Sequence, residues 1–114
     1  MKKFKSFKDI LAAAGITAEQ FAEQIQNHTT DEIGYKKVKL IAKVLNGKWV
    51  PDYKDDDQWK YEPIFYHNGT EFVFRDVYRW ISRSYVGSRL CFKSREIAEY
   101  AATTFIAEYR EFLS

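Results

Sequence analysis

Cysteine is all but missing: Cys91 stands alone in a chain of 114 residues. A single thiol has no partner for an internal disulfide, so packing must hold the fold, and the composition suits a reducing compartment. Cytoplasm is the location this implies. Apolar runs are short as well, far below the roughly 20 residues a membrane helix needs. The N-terminal lysines have the charge of a signal-peptide start, but Lys8 and Asp9 interrupt before an apolar run develops, so no secretion signal is read. Charge of one sign is also lacking: 18 Lys and Arg against 16 Asp and Glu leave a formal net charge of +2, and any basic surface must come from clustering. The five glycines are scattered, and neither G-x-G-x-x-G nor G-x-x-x-x-G-K occurs, which excludes the common phosphate loops.

What the chain has in quantity is aromatic side chains, 18% of its residues. They bury more area than other types and can close a small core without staples. The length fits one domain over 1–114, with a helical part at 6–46, an acidic and aromatic loop at 47–60 and a ββββα part at 61–114. Ser6 with Asp9, Thr17 with Gln20 and Thr29 with Glu32 repeat a capping-box spacing, each followed by an apolar stripe. Gly15 closes the first helix and Asn46-Gly47 the third. From Trp49 to Lys60 there is no period, and Pro51 forbids a helix interior or a central strand.

Beyond the loop, Asn68-Gly69 predicts a type I′ hairpin turn pairing His67 with Thr70, Tyr66 with Glu71, Phe65 with Phe72 and Ile64 with Val73. Phe65, Phe72 and Phe74 then share one face. Alternation predicts a third strand over Val77–Arg83 and a fourth around Leu90 and Phe92. Ser94 caps a single long helix whose Ala98, Ala101, Ala102, Phe105 and Tyr109 stripe faces the sheet, with Glu108 toward solvent. The expected fold is therefore α+β: three short N-terminal helices, a four-stranded antiparallel meander, and a C-terminal helix packed on the sheet.

Little of the chemistry survives inspection. His28, His67 and Cys91 lack metal-ligand spacing, so no metal and no cofactor is expected. An EF-hand loop begun at Asp55 would put Trp59 and Lys60 where ligand and glycine belong. Cys91 with His67 is the one nucleophile and base pair the topology can join, with Arg89 and Lys93 near the thiol, but a lone strand cysteine is ordinarily a small apolar residue. Glu71, Glu96 and Glu99 have nothing to set two of them across a cleft. No catalytic residue is assigned. One constellation is basic and aromatic: Arg79, Trp80, Arg83, Tyr85, Arg89 and Lys93 on neighbouring strands can follow a phosphate backbone and stack on bases. Asp76, Glu62, Glu71 and Glu99 oppose that charge.

Three stretches carry a resemblance. Leu45-Asn46-Gly47-Lys48-Trp49-Val50-Pro51-Asp52, Lys60-Tyr61-Glu62-Pro63-Ile64-Phe65, and Val86 to Glu96 with Ala98-Glu99-Tyr100-Ala101 resemble a family of small uncharacterised proteins of bacteriophages and prophages. The family tends to have an aromatic at Glu62 and tryptophan at Ile64, so its aromatic cluster is thinner here. Phe92 to Ala98 is also similar to the strand-to-capped-helix grammar of AP2-like DNA-binding and peptidoglycan-binding SPOR domains, and largely reports a serine cap. The phage resemblance carries no activity. The lack of catalytic or metal spacing, with exposed aromatics that favour protein contacts, leads to the expectation of a non-enzymatic accessory protein of phage-like origin that binds another protein. The basic strand face implies the alternative, a nucleic-acid-binding module.

Overall fold

Three helices open the chain in the computed structural model, which describes residues 4–81 and 86–114. They are α1 (Phe7–Ala14), α2 (Ala18–Gln24) and α3 (Thr30–Asn46), and each begins behind its capping residue. Thr17 and Gln20 exchange backbone-to-side-chain hydrogen bonds of 2.9 and 3.0 Å. The Glu32 carboxylate accepts from the Thr29 backbone N–H at 2.7 Å, which holds its pKa below the usual carboxylate range. Gly15 ends α1 in the left-handed region at φ 72°, where a glycine meets no Cβ penalty. A Phe7–Phe21 ring contact of 5.2 Å fixes α2 against α1.

The four-stranded meander does not form. Two antiparallel strands make the whole sheet among the described residues, β1 (Lys60–Asn68) and β2 (Glu71–Trp80). The first reason is at Arg75 and Asp76, where the sequence offers no glycine, proline or asparagine to turn the chain. A bulge opposite Ile64/Phe65 absorbs one residue instead, and β2 runs on through Val77 to Trp80. The expected third strand is thus the end of β2, and its last residues, Ser82 and Arg83, lie outside the described ones. The turn also differs: Asn68 pairs with Glu71, so Gly69 and Thr70 are central, with Gly69 at φ 69°. A positive φ at the first central position alone is the II′ pattern. The pairing slips by two residues, which preserves the face. Phe65, Phe72 and Phe74 do cluster, with Phe65 centroids 5.0 and 6.1 Å from the other two.

The expected fourth strand is a 3₁₀ turn, Ser88–Leu90, followed by one bridge between Tyr61 and Phe92. Leu90, Cys91 and Phe92 are all buried, because this segment runs between the end of α3 and the base of the hairpin. Its backbone is satisfied without a strand partner on one side. The Asn46 side chain donates to the Cys91 carbonyl at 3.0 Å and accepts from the Lys93 N–H at 3.1 Å, while Tyr61 and Phe92 exchange bonds of 3.0 and 2.7 Å.

The C-terminal helix is two helices, α4 (Arg95–Thr104) and α5 (Ile106–Leu113), broken at Phe105 (φ −112°, ψ 31°). Ser94 caps α4 by accepting from the Ile97 N–H at 3.2 Å. Thr103 bonds back to the Glu99 carbonyl at 2.9 Å, a contact that bends helices. The break sends the two halves to different neighbours: α4 lies on the hairpin, and α5 packs chiefly on α3. Gly34 permits that second contact, since a Cβ there would sit 2.6 Å from the Phe112 Cα. Phe105 is fully buried at the junction, within one core that joins Ile10, Val38, Ile41, Val77, Phe92 and Ala101. Glu108, expected in solvent, is half buried, and burial raises its pKa. Among the described residues no helix is long and apolar enough to cross a membrane.

Candidate functional site

The six residues of the basic, aromatic face do not meet on one sheet. Trp80 is 5% exposed and pairs with Lys60 at the base of the hairpin, so its indole is not available to stack on a base. Arg79 is exposed, and its guanidinium lies 4.2 Å from the centre of the Trp59 ring. Arg89 stands in the 3₁₀ turn and Lys93 just before α4, both exposed. Arg83 and Tyr85 lie outside the described residues. Cys91 is 0% exposed and burial pushes its thiol up to about 11. His67 lies six residues along β1 from Tyr61, the bridge partner of Phe92, about 20 Å at the usual strand rise. Cys91 and His67 are therefore not a nucleophile and base.

The acidic loop spends its carboxylates on itself. Asp52 accepts from the Lys54 N–H at 3.0 Å and Asp55 from the Asp57 N–H at 2.8 Å, the side-chain turns expected of aspartate. Lys60 anchors the loop from beneath. Its side chain is fully buried, and Nζ donates to the Gln58 carbonyl at 3.0 Å and the Ile81 carbonyl at 2.6 Å. That tie brings Trp59 beside Arg79. No sequence pattern announced it, because Lys60 reads as an ordinary polar loop end.

Two exposed surfaces result. Along β2 runs a shallow groove of about 640 Å³ lined by Ile64, Tyr78, Arg79 and Arg95; Tyr78 is 56% exposed. Toward the turn, Arg75 stacks over Tyr66 at 5.2 Å. Arg95 forms a 3.4 Å ion pair with Asp76, whereas among the described residues no carboxylate pairs with Arg75 or Arg79. The second surface follows α3. Lys36, Lys39 and Lys43 share one helical face and edge two adjoining depressions of about 270 and 280 Å³, the second also lined by Trp49, Tyr53 and Arg89. The Tyr53 hydroxyl donates to the Ser88 carbonyl at 3.0 Å, and burial raises its pKa. This lysine row was legible as a helical spacing, but only the fold brings Trp49 and Arg89 to it.

Neither protein-family models, nor curated proteins, nor solved structures give a match to this chain.

Proposed function

We propose that this chain is a non-enzymatic interaction module that binds another protein through the groove along β2. The observation that carries the reading is that the groove is lined by an exposed tyrosine, Tyr78, and by Arg79, whose guanidinium is stacked on the Trp59 ring. Tyrosine, tryptophan and arginine are the types that dominate binding energy at protein interfaces. A stacked guanidinium has less freedom left to lose on binding. With Arg75 and Arg79 lacking carboxylate partners among the described residues, the complementary partner presents acidic groups beside apolar side chains. A photo-crosslinking residue placed at Tyr78, in cells of the source organism, should give one predominant protein adduct. The adduct should be lost on Arg79→Glu and be absent when the crosslinker stands at Lys8 on α1. Matching adducts from both positions, or none at Tyr78, would overturn the reading.

A second reading, single-stranded nucleic acid, moves from the sheet to the α3 row, because Lys36, Lys39, Lys43 and Arg89 there flank Trp49 and Tyr53. Cations along a groove with aromatics between them suit a phosphate backbone and its bases. Asp55, Asp56 and Asp57 on the adjoining loop counter part of that field. Fluorescence anisotropy with single- and double-stranded oligonucleotides should show binding that weakens with salt and with Lys39→Ala plus Lys43→Ala. Absence of binding at low salt removes it.

A further inference from the structure

Between α3, β1 and α5 lies a cavity of about 470 Å³, within the roughly 300 to 1,000 Å³ usual for small-molecule sites. Four aromatic rings line it: Tyr35 from α3, Phe65 from β1, and Tyr109 and Phe112 from α5. Their centroids pair at 5.4 Å for Tyr35 with Phe112 and 4.7 Å for Phe65 with Tyr109. Two polar groups lie at this lining with no partner from the described residues, the Glu62 carboxyl and, closed off behind the ring, the Tyr109 hydroxyl. Tyr109 is 3% exposed and its hydroxyl makes no hydrogen bond there, although a buried phenol ordinarily finds one. The Glu62 carboxyl has neither an ion pair nor a hydrogen bond among the described residues. Its Oε1 lies 2.9 Å from where a Cβ on Gly87 would be, so a bare backbone at 87 leaves room for it. Burial raises the Glu62 pKa, and its charge is near enough to oppose ionisation of Tyr109.

Aromatic faces are electron-rich and a carboxylate supplies full countercharge, so a cation gains from both, while apolar walls disfavour ions that keep their water. We infer that this cavity binds an organic ammonium ion, with Tyr35, Phe65, Tyr109 and Phe112 around it and Glu62 as counter-ion. The inference is independent of protein binding along β2: Glu62 borders both surfaces, but Tyr78 and Arg79 do not line this cavity. Tyr78→Ala should therefore leave ammonium binding intact.

The test is an NMR titration of the isotope-labelled full chain with choline, with butylammonium, with the neutral isostere of choline in which tert-butyl replaces trimethylammonium, and with butyrate. Both ammonium ions should give saturable shifts confined to residues 35, 62–65, 86–90 and 109–113. The isostere should bind about tenfold more weakly or worse, the loss expected when a charge-assisted contact is given up, and butyrate should not bind. Glu62→Gln should erase the preference for the cation. Tyr109→Phe should keep the preference for the cation and leave the denaturation midpoint unchanged or higher, since it deletes an unpartnered buried hydroxyl. No saturable binding of either ammonium ion, equal affinity for choline and its isostere, or undiminished binding by Glu62→Gln overturns the inference. Should Glu62→Gln not fold, the isostere comparison on the unaltered chain decides alone.

Discussion

Asn46 does with one side chain what a neighbouring strand does elsewhere, meeting the Cys91 carbonyl and the Lys93 N–H at the end of α3. Removing it strands a buried carbonyl, and a buried acceptor without a partner costs about 1–3 kcal/mol. Asn46→Ala should therefore lower stability by about 2 kcal/mol in urea denaturation. Lys93→Ala keeps the backbone N–H and, at an exposed side chain, should stay within about 0.5 kcal/mol. Cys91 beside it gives a pH signature. Its folded pKa of about 11 lies above the ordinary 9.0, so the unfolded chain loses its thiol proton first. The stability tied to the neutral thiol is fully present below pH 9 and is lost as pH rises toward 11. Against Cys91→Ala, the unaltered protein should lose stability more steeply across that window, and native Cys91 should resist alkylation until denaturant is added. Rapid alkylation of the native thiol would contradict its burial.

At the scale of elements, the approach of α5 to α3 hangs on Gly34. Alanine is better than glycine in a helix interior by about 1 kcal/mol, yet a methyl here would press on the Phe112 backbone, which cannot swing aside as a side chain can. Overpacking of that sort costs about 1–3 kcal/mol. Gly34→Ala should be net destabilising in chemical denaturation; a stabilised variant would mean that the two helices stand farther apart. Phe105 sits where α4 gives way to α5, and Phe105→Ala, which leaves a cavity the size of a ring, should cost about 3–5 kcal/mol. A midpoint close to that of the unaltered chain would place the helix junction outside the core.

For the molecule as a whole, stability is unevenly spread. The base of the hairpin is held on both sides, by α4 and Phe92 and by Lys60 beneath the loop. Residues 66–71 at its far end are exposed. Regions with few buried contacts open at lower free energy than the core. Hydrogen exchange followed by mass spectrometry should show amides of 66–71 exchanging well before those of 38–45 and 97–102, and uniform protection along the hairpin would contradict this.

The three N-terminal helices were legible because each is encoded within a few residues: a cap, an acid or amide three positions on, and a glycine or asparagine to stop it. Ser94 as a cap, Phe105 in the core and the shared face of Phe65, Phe72 and Phe74 were legible for the same reason. Strand number was not. Leu90 and Phe92 have strand spacing, but Asn46, more than forty positions earlier, took the hydrogen bonds a fourth strand would have needed, and a bulge at Arg75 extended one strand where two were expected. The candidate surfaces depended on tertiary structure still more. Trp80 was expected on the basic, aromatic strand face, but the packing at the hairpin base buries it, while Trp59 lies under Arg79. Tyr35, Glu62 and Tyr109 share no motif, and they meet because the break at Phe105 turns α5 onto α3: local sequence sets backbone preference and caps, whereas a cavity is what remains between elements once each has buried its own apolar face.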